Sequence, residues 1–216
     1  MTQGVALGFV VSAFQAGRWR SLQTCPKEWG WYLDELEQWK SLWGHTEPTK
    51  ALDIGAFDGI SANLMLDALF PNPQSEVHCI DPFLPDPTTP QVNENIRELF
   101  LENIRRGRHE NQVHLYEGLS GEVLGWMIAT DGFWESFDFI YVDGSHLARH
   151  VLIDAALAWN LLRVGGIIVF DDYERGEAAD RFGRPGPAID AFEAAFADRI
   201  QAVMNGYRKA YRKLQP

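Results

Sequence analysis

Cysteine is almost missing from this chain. Cys25 lies in a polar segment and Cys79 inside an apolar run, so no disulfide framework is available and a reducing, cytoplasmic setting is expected. Basic residues are scarce too. Lys and Arg number 19 against 30 Asp and Glu, a formal net charge of -11, which leaves no positive field to gather nucleic acid or an anionic membrane surface. A bilayer-spanning run is also lacking: the apolar stretch Gly4 to Phe14 is too short to cross and has no basic lead. It reads as an N-terminal helix packed on the body of the domain or on a second subunit. Internal repeats and low-complexity tracts are absent.

What is present is a regular alternation of strand-like and helix-like segments. With 216 residues, 46% of them hydrophobic, the chain can bury one substantial core. Residues 1–49 read as a helical extension, with Leu33, Leu36, Trp39, Leu42 and Trp43 at helical spacing; its tryptophans suit packing on the core, a lid, or contacts in a homo-oligomer. Residues 50–216 form the main domain. Strands are expected at Ala51–Ile54, Val77–Ile80, Val113–Tyr116, Phe137–Val142 and Ile167–Phe170. Helices are expected at 61–70, 92–106, from Gly118–Gly121 to about 130, at 148–162 and at 188–197. Such alternation implies right-handed crossovers and a doubly wound, mostly parallel α/β sheet of Rossmann-like type. Asn205-Gly206 predicts a hairpin with both turn residues at positive φ, which would close a seven-stranded sheet with an antiparallel C-terminal pair.

Four of the apolar runs end in acid: Asp53, Asp81, Asp143 and the pair Asp171-Asp172. Carboxyl ends of parallel strands open on one edge, so these side chains converge on one crevice, a costly arrangement unless something compensates their charge. Asp143, Asp171 and Asp172 could supply oxygens to a hard divalent cation such as Mg²⁺, with two neighbouring hydroxyls of an acceptor completing its shell. The plain alternative is that Asp171 caps the next segment and Asp172 is solvated.

Upstream, Gly55 and Gly59 lie four apart between a strand and a helix, where glycine permits a tight turn and close approach of a ligand to the backbone. The dinucleotide pattern G-x-G-x-x-G is absent, which disfavours a nicotinamide-dependent oxidoreductase. Asp81, 28 residues after Asp53, is placed to accept hydrogen bonds from ribose hydroxyls, although an Asp before Pro82 also serves a turn. Ser120 and Gly121 either cap a helix or line an adenine pocket. His146, three residues after Asp143, is the leading general base; a capping or turn role competes, and Asp143 could be the base instead. His150, Asp154 and Trp159 read as surface or packing residues. Tyr173, Glu174 and Arg175 begin a loop at the rim that could select the acceptor, and the Pro82–Pro90 and Arg181–Pro187 segments read as gating loops.

The segment Leu52-Asp53-Ile54-Gly55-Ala56-Phe57-Asp58-Gly59-Ile60-Ser61 resembles the first motif of class I S-adenosylmethionine-dependent methyltransferases. Asp143-Gly144-Ser145-His146, Asp154 to Trp159 and Phe170-Asp171-Asp172-Tyr173 resemble the branch containing metal-dependent O-methyltransferases of antibiotic sugars and related small molecules. The resemblance runs from about Lys50 to Lys213 and does not reach residues 1–49. It implies S-adenosylmethionine contacts at Asp53, Gly55, Gly59, Ser61, Asp81 and Ser120, with Asp53 both shaping the turn and placed to reach the amino group of the methionyl part. A divalent cation, probed first as Mg²⁺, would sit on the acidic set, and the partner would be a small molecule with a sugar, vicinal diol or catechol hydroxyl. Two alternatives stand beside this one: a metal-independent methyltransferase, and a non-catalytic cofactor-binding partner subunit.

Overall fold

The computed structural model describes residues 39–40, 42–43, 46–84, 95–177, 180 and 182–216. The readings made on Gly4–Phe14, on Cys25, on Leu33 and Leu36, and on most of the Pro82–Pro90 loop lie outside the described residues.

Seven strands form one sheet: β1 (Lys50–Ile54), β2 (Glu76–Asp81), β3 (Val113–Glu117), β4 (Phe137–Val142), β5 (Leu162–Phe170), β6 (Ile200–Met204) and β7 (Lys209–Lys213). Their spatial order is β3-β2-β1-β4-β5-β7-β6. The first five run parallel, and β7 joins antiparallel to β5 and to β6. Helices α1 (Ile60–Leu64), α2 (Ile96–Gly107), α3 (Ser120–Ala129), α4 (Ala148–Leu161) and α5 (Gly186–Ala195) fill the connections. Among the described residues no helix is long and apolar enough to cross a membrane.

Period-two alternation sorts the central strands onto two faces. Leu52, Ile54, Ile140, Val142, Ile168 and Phe170 point to one core with α3, α4 and α5. Ala51, Phe139, Tyr141, Ile167 and Val169 point to the other, with α1 and α2. Both faces are dry, which is why these strands read as continuous apolar runs. Trp39 and Trp43 belong to the second core: Trp39 meets the Tyr141 ring edge-on at 4.9 Å, and Trp43 packs against Phe70 and Phe139.

Three local expectations need correction. The helix after β1 is α-helical only to Leu64; Met65–Leu69 forms a π-turn, closed by Phe70 N–H donating to Met65 O at 2.7 Å. The wider turn seats Leu69 and Phe70 in the core together with Met65 and Leu66. Strand β5 starts at Leu162 rather than Ile167, with a register break against β4 between Phe137 and Phe139. Gly166 allows it, since a Cβ there would stand 2.9 Å from Asp138 O. Finally, the C-terminal hairpin is not a two-residue turn. Asn205 does not take positive φ, and the connection runs from Asn205 through Arg208. Its last two residues are committed elsewhere, as the site shows.

Candidate active site

A cleft of about 690 Å³ opens at the carboxyl ends of the parallel strands. Gly55, Ser61, Asp81, Ser120, Asp143, His146, Asp171 and Asp172 all line it. Asp53 and Gly59 do not; they lie behind its wall. Each strand end is tied to the next: Gly55 N–H donates to Ile80 O, Asp143 N–H to Ile54 O, and Asp171 N–H to Val142 O.

Gly55 takes φ +93, and a Cβ there would fall 2.2 Å from Asp143 O. Any side chain would therefore push apart the β1 and β4 ends that carry the cleft. Asp53 is fully buried and accepts the Ser61 hydroxyl at 2.6 Å, while its second oxygen has no partner. Burial pushes its carboxyl up to about 7, against the pull of that hydroxyl. Asp81 accepts Phe57 N–H at 2.9 Å and Phe83 N–H at 2.7 Å, pinning two backbone turns at non-glycine positive φ. Each oxygen keeps a lone pair on a residue that faces the cleft.

The acidic set divides in an unexpected way. Asp171 is not free: its Oδ2 accepts the Tyr141 hydroxyl at 2.5 Å and the Arg208 guanidinium at 2.7 Å, and its Oδ1 accepts the Asp172 N–H. Ligand atoms of Asp143, His146 and Asp172, by contrast, all lie within 4.8 Å of one another. The donor set brought together is thus two carboxylates and an imidazole, with Asp171 as a braced neighbour.

Asp172 sits at φ 60, a strained backbone for a non-glycine residue. Its Oδ2 receives His146 Nε2 at 2.9 Å and Arg175 at 3.0 Å, and its Oδ1 receives the Tyr207 hydroxyl at 2.5 Å. Burial opposes its charge, but the bonds from His146 and Tyr207 outweigh burial and hold the carboxyl below its ordinary range. Asp143 has the reverse balance. Burial, followed by the charges of Asp171 and Asp172, pushes it well above that range. Arg208 and Arg175 offset the charges of Asp171 and Asp172, and a divalent ion on Asp143, Asp172 and His146 would add the positive charge that a buried Asp143 calls for. The chemistry of the donors fits such an ion, with the imidazole also suiting softer metals than Mg²⁺.

Asp154, read from the sequence as a packing residue, also lines the cleft. It is 1% exposed, and the Ser120 hydroxyl stands near enough to act on its charge without making a hydrogen bond of ordinary geometry. Burial raises it to about 6, with the Ser120 hydroxyl pulling the other way. Tyr141, Tyr207 and Arg208 were missed altogether. For Tyr141 a signal existed, because period two places residues 139, 141 and 143 on one side of β4. Tyr207 and Arg208 carry no local signal.

A parallel sheet in this strand order, an antiparallel closing pair and a cleft at the carboxyl edge define a Rossmann-like methyltransferase fold. The chain belongs to the Methyltransferase domain family, whose match spans residues 52–173. No curated protein matches the sequence. Among solved structures it is similar to the O-methyltransferase from Bacillus cereus in complex with SAH, at 21% identity over 97% of this chain and 91% of that one, with a TM-score of 0.62. The O-methyltransferase TomG from Streptomyces achromogenes, in complex with SAM, is 16% identical over 95% and 89%, with a TM-score of 0.60. MycE from the mycinamycin pathway, in complex with Mg, SAH and mycinamycin VI, is 17% identical over 85% of this chain and 49% of that one, with a TM-score of 0.56.

Proposed function

We propose that this protein transfers the methyl group of S-adenosylmethionine to a hydroxyl of a small molecule, with a divalent cation held by Asp143 and Asp172. The observation that carries the reading is that the Asp143, His146 and Asp172 donor atoms converge within 4.8 Å on the same cleft that Gly55 and Asp81 line. Neighbours of the same fold with bound SAH, SAM or Mg support the cofactor assignment.

S-adenosylmethionine brings its own good leaving group, so the protein's work is to align an oxygen with the methyl carbon and help it lose a proton. A bound cation would stabilise the oxyanion that develops. Asp81 keeps lone pairs for ribose hydroxyls, Ser120 borders the nucleoside space, and the Gly55 backbone lets the methionyl part approach. Arg208 and Tyr141 hold Asp171 in place, with burial pushing its carboxyl up to about 6 against the pull of the Tyr141 hydroxyl, and so set the recess in which Asp143 and Asp172 stand.

In this reading the ion rests on Asp143 and Asp172 alone, and His146, the third member of the convergent set, stays off it and acts as the base, with Asp172 beside it to stabilise the imidazolium that forms. That same 2.9 Å pair favours a second reading, a metal-independent methyltransferase in which the His146–Asp172 dyad acts alone. Incubating the protein with S-adenosylmethionine and a panel of catechols, vicinal diols and sugars, and measuring S-adenosylhomocysteine release with and without EDTA, separates the two. Turnover lost to EDTA and restored by Mg²⁺ supports the cation. Turnover indifferent to EDTA leaves the dyad. No release with any acceptor, despite cofactor binding, favours a non-catalytic partner subunit.

A further inference from the structure

At the opposite end of the sheet from the cleft, Glu76, His78 and His114 bring three ligand atoms within 4.8 Å of one another. Glu76 and His78 sit at the start of β2, and His114 is the β3 residue paired with His78. Asp81 closes the same strand at the cleft, five residues on from Glu76 and therefore about 16 Å away at ~3.3 Å per residue. This cluster is independent of the chemistry above.

We propose that Glu76, His78 and His114 form a binding site for a zinc-class transition-metal ion that clips the start of β2 to the edge strand β3. The ligand types suit zinc, which takes imidazole nitrogen and carboxylate oxygen. The spacing suits it too. His78 Nε2 is 3.3 Å from Glu76 Oε1, and His114 Nε2 is 3.3 Å from Glu76 Oε2. Two ligands of a tetrahedral ion with bonds of ~2.0–2.1 Å stand about 3.3 Å apart, the separation of His78 Nε2 from Glu76 Oε1, while the half-exposed His114 side chain approaches the other oxygen of the same carboxylate and needs only a small adjustment to share the ion.

The hydrogen bonding of His78 is the second, independent observation. Its Nδ1 lies 3.0 Å from the Tyr116 hydroxyl, while Nε2 is buried and has no hydrogen-bond partner. At 3.3 Å from Glu76 Oε1, Nε2 lacks the alignment a hydrogen bond needs. A proton on Nδ1, donated to Tyr116, leaves the Nε2 lone pair pointing at the cluster with nothing to receive. Metal-ligating histidines are held by this kind of outer hydrogen bond. Among the described residues, Lys50 is the cation that stands beside Glu76. Its ammonium stands 3.8 Å from Glu76 Oε1 and near the Phe133 and Phe137 rings, so it does not occupy the carboxylate by hydrogen bonding. With the His114 side chain 45% exposed, a water can take the fourth position.

The test is a calorimetric titration of Zn²⁺ into chelator-treated, full-length protein carrying Asp172→Asn, which disables the donor set in the cleft. The proposal predicts saturable binding of one ion per chain, weakened about a hundredfold or more by His114→Ala and by Glu76→Gln. Zinc should raise the melting temperature of the Asp172→Asn protein but not of Asp172→Asn/His114→Ala. Because Glu76 and His114 are surface positions, circular dichroism checks that both variants fold. Absence of saturable binding in Asp172→Asn, or binding that neither second substitution weakens, overturns the site.

Discussion

Arg208 reaches Asp171 across 2.7 Å, and both side chains are almost fully buried. The pair extends the antiparallel register of β5 and β7. Phe170 faces Lys209, and the next two steps place Arg208 opposite Asp171 and Tyr207 opposite Asp172. The end of the chain thereby braces the acidic rim of the cleft.

Arg208→Met leaves Asp171 buried without its cation and should destabilise the fold by about 3–5 kcal/mol. Urea unfolding measures this. The double variant Arg208→Met/Asp171→Asn removes the stranded charge and should lose less than Arg208→Met alone. A double loss equal to the sum of the single losses would show that the two residues are not coupled.

Gly55→Ala places a Cβ 2.2 Å from Asp143 O at a backbone angle that costs roughly 1–3 kcal/mol by itself. Separation of the β1 and β4 ends should abolish the rise in melting temperature produced by S-adenosylhomocysteine. Retention of that rise would show the cleft tolerates a side chain here.

Asp53 supplies a pH dependence whose sign is opposite to that of a salt-bridged carboxylate. Its folded value is raised to about 7 from an ordinary 3.8, so the native state binds the proton more tightly than the unfolded chain. Its contribution is full below about pH 4 and is lost as pH climbs through 7, a swing on the order of a few kcal/mol. Asp53→Asn, which keeps an acceptor for Ser61, should flatten the stability profile between those limits. An unchanged profile would place the titration elsewhere.

The strands and the residues that close them were legible because burial on both faces writes continuous apolar runs, and the acid at each end breaks the run. Asp143 and Asp172 were readable in that way, and so was the Gly55 turn. The division of labour inside the acidic set was not. The bonds that tie Asp171 to Arg208 and Asp172 to Tyr207 come through pairing with β5, from residues 37 and 35 positions later in the chain. The Asn205-Gly206 pair marked the antiparallel hairpin correctly but not its turn, where the local preference yielded to two distant contacts. Asp154 looked like one more surface or packing residue of its helix, and the packing of that helix beside Gly144, where a Cβ would lie 3.8 Å from its Oδ2, brings it to the cleft.

Tyr207→Phe should raise the carboxyl range of Asp172, because the hydroxyl bond that helps hold it down is lost. The acid limb of the activity profile should therefore move to higher pH, with S-adenosylhomocysteine affinity unaltered. A profile identical to that of the parent would remove Asp172 from the rate-limiting ionisation.

The most direct test compares methyl transfer from labelled S-adenosylmethionine by the parent protein and by Asp143→Asn/Asp172→Asn, alongside S-adenosylhomocysteine affinity for both. The account predicts that the double variant loses methyl transfer by about a hundredfold or more while it binds S-adenosylhomocysteine within about threefold of the parent. Undiminished transfer by the double variant, or a parent protein that does not bind S-adenosylhomocysteine, would contradict it.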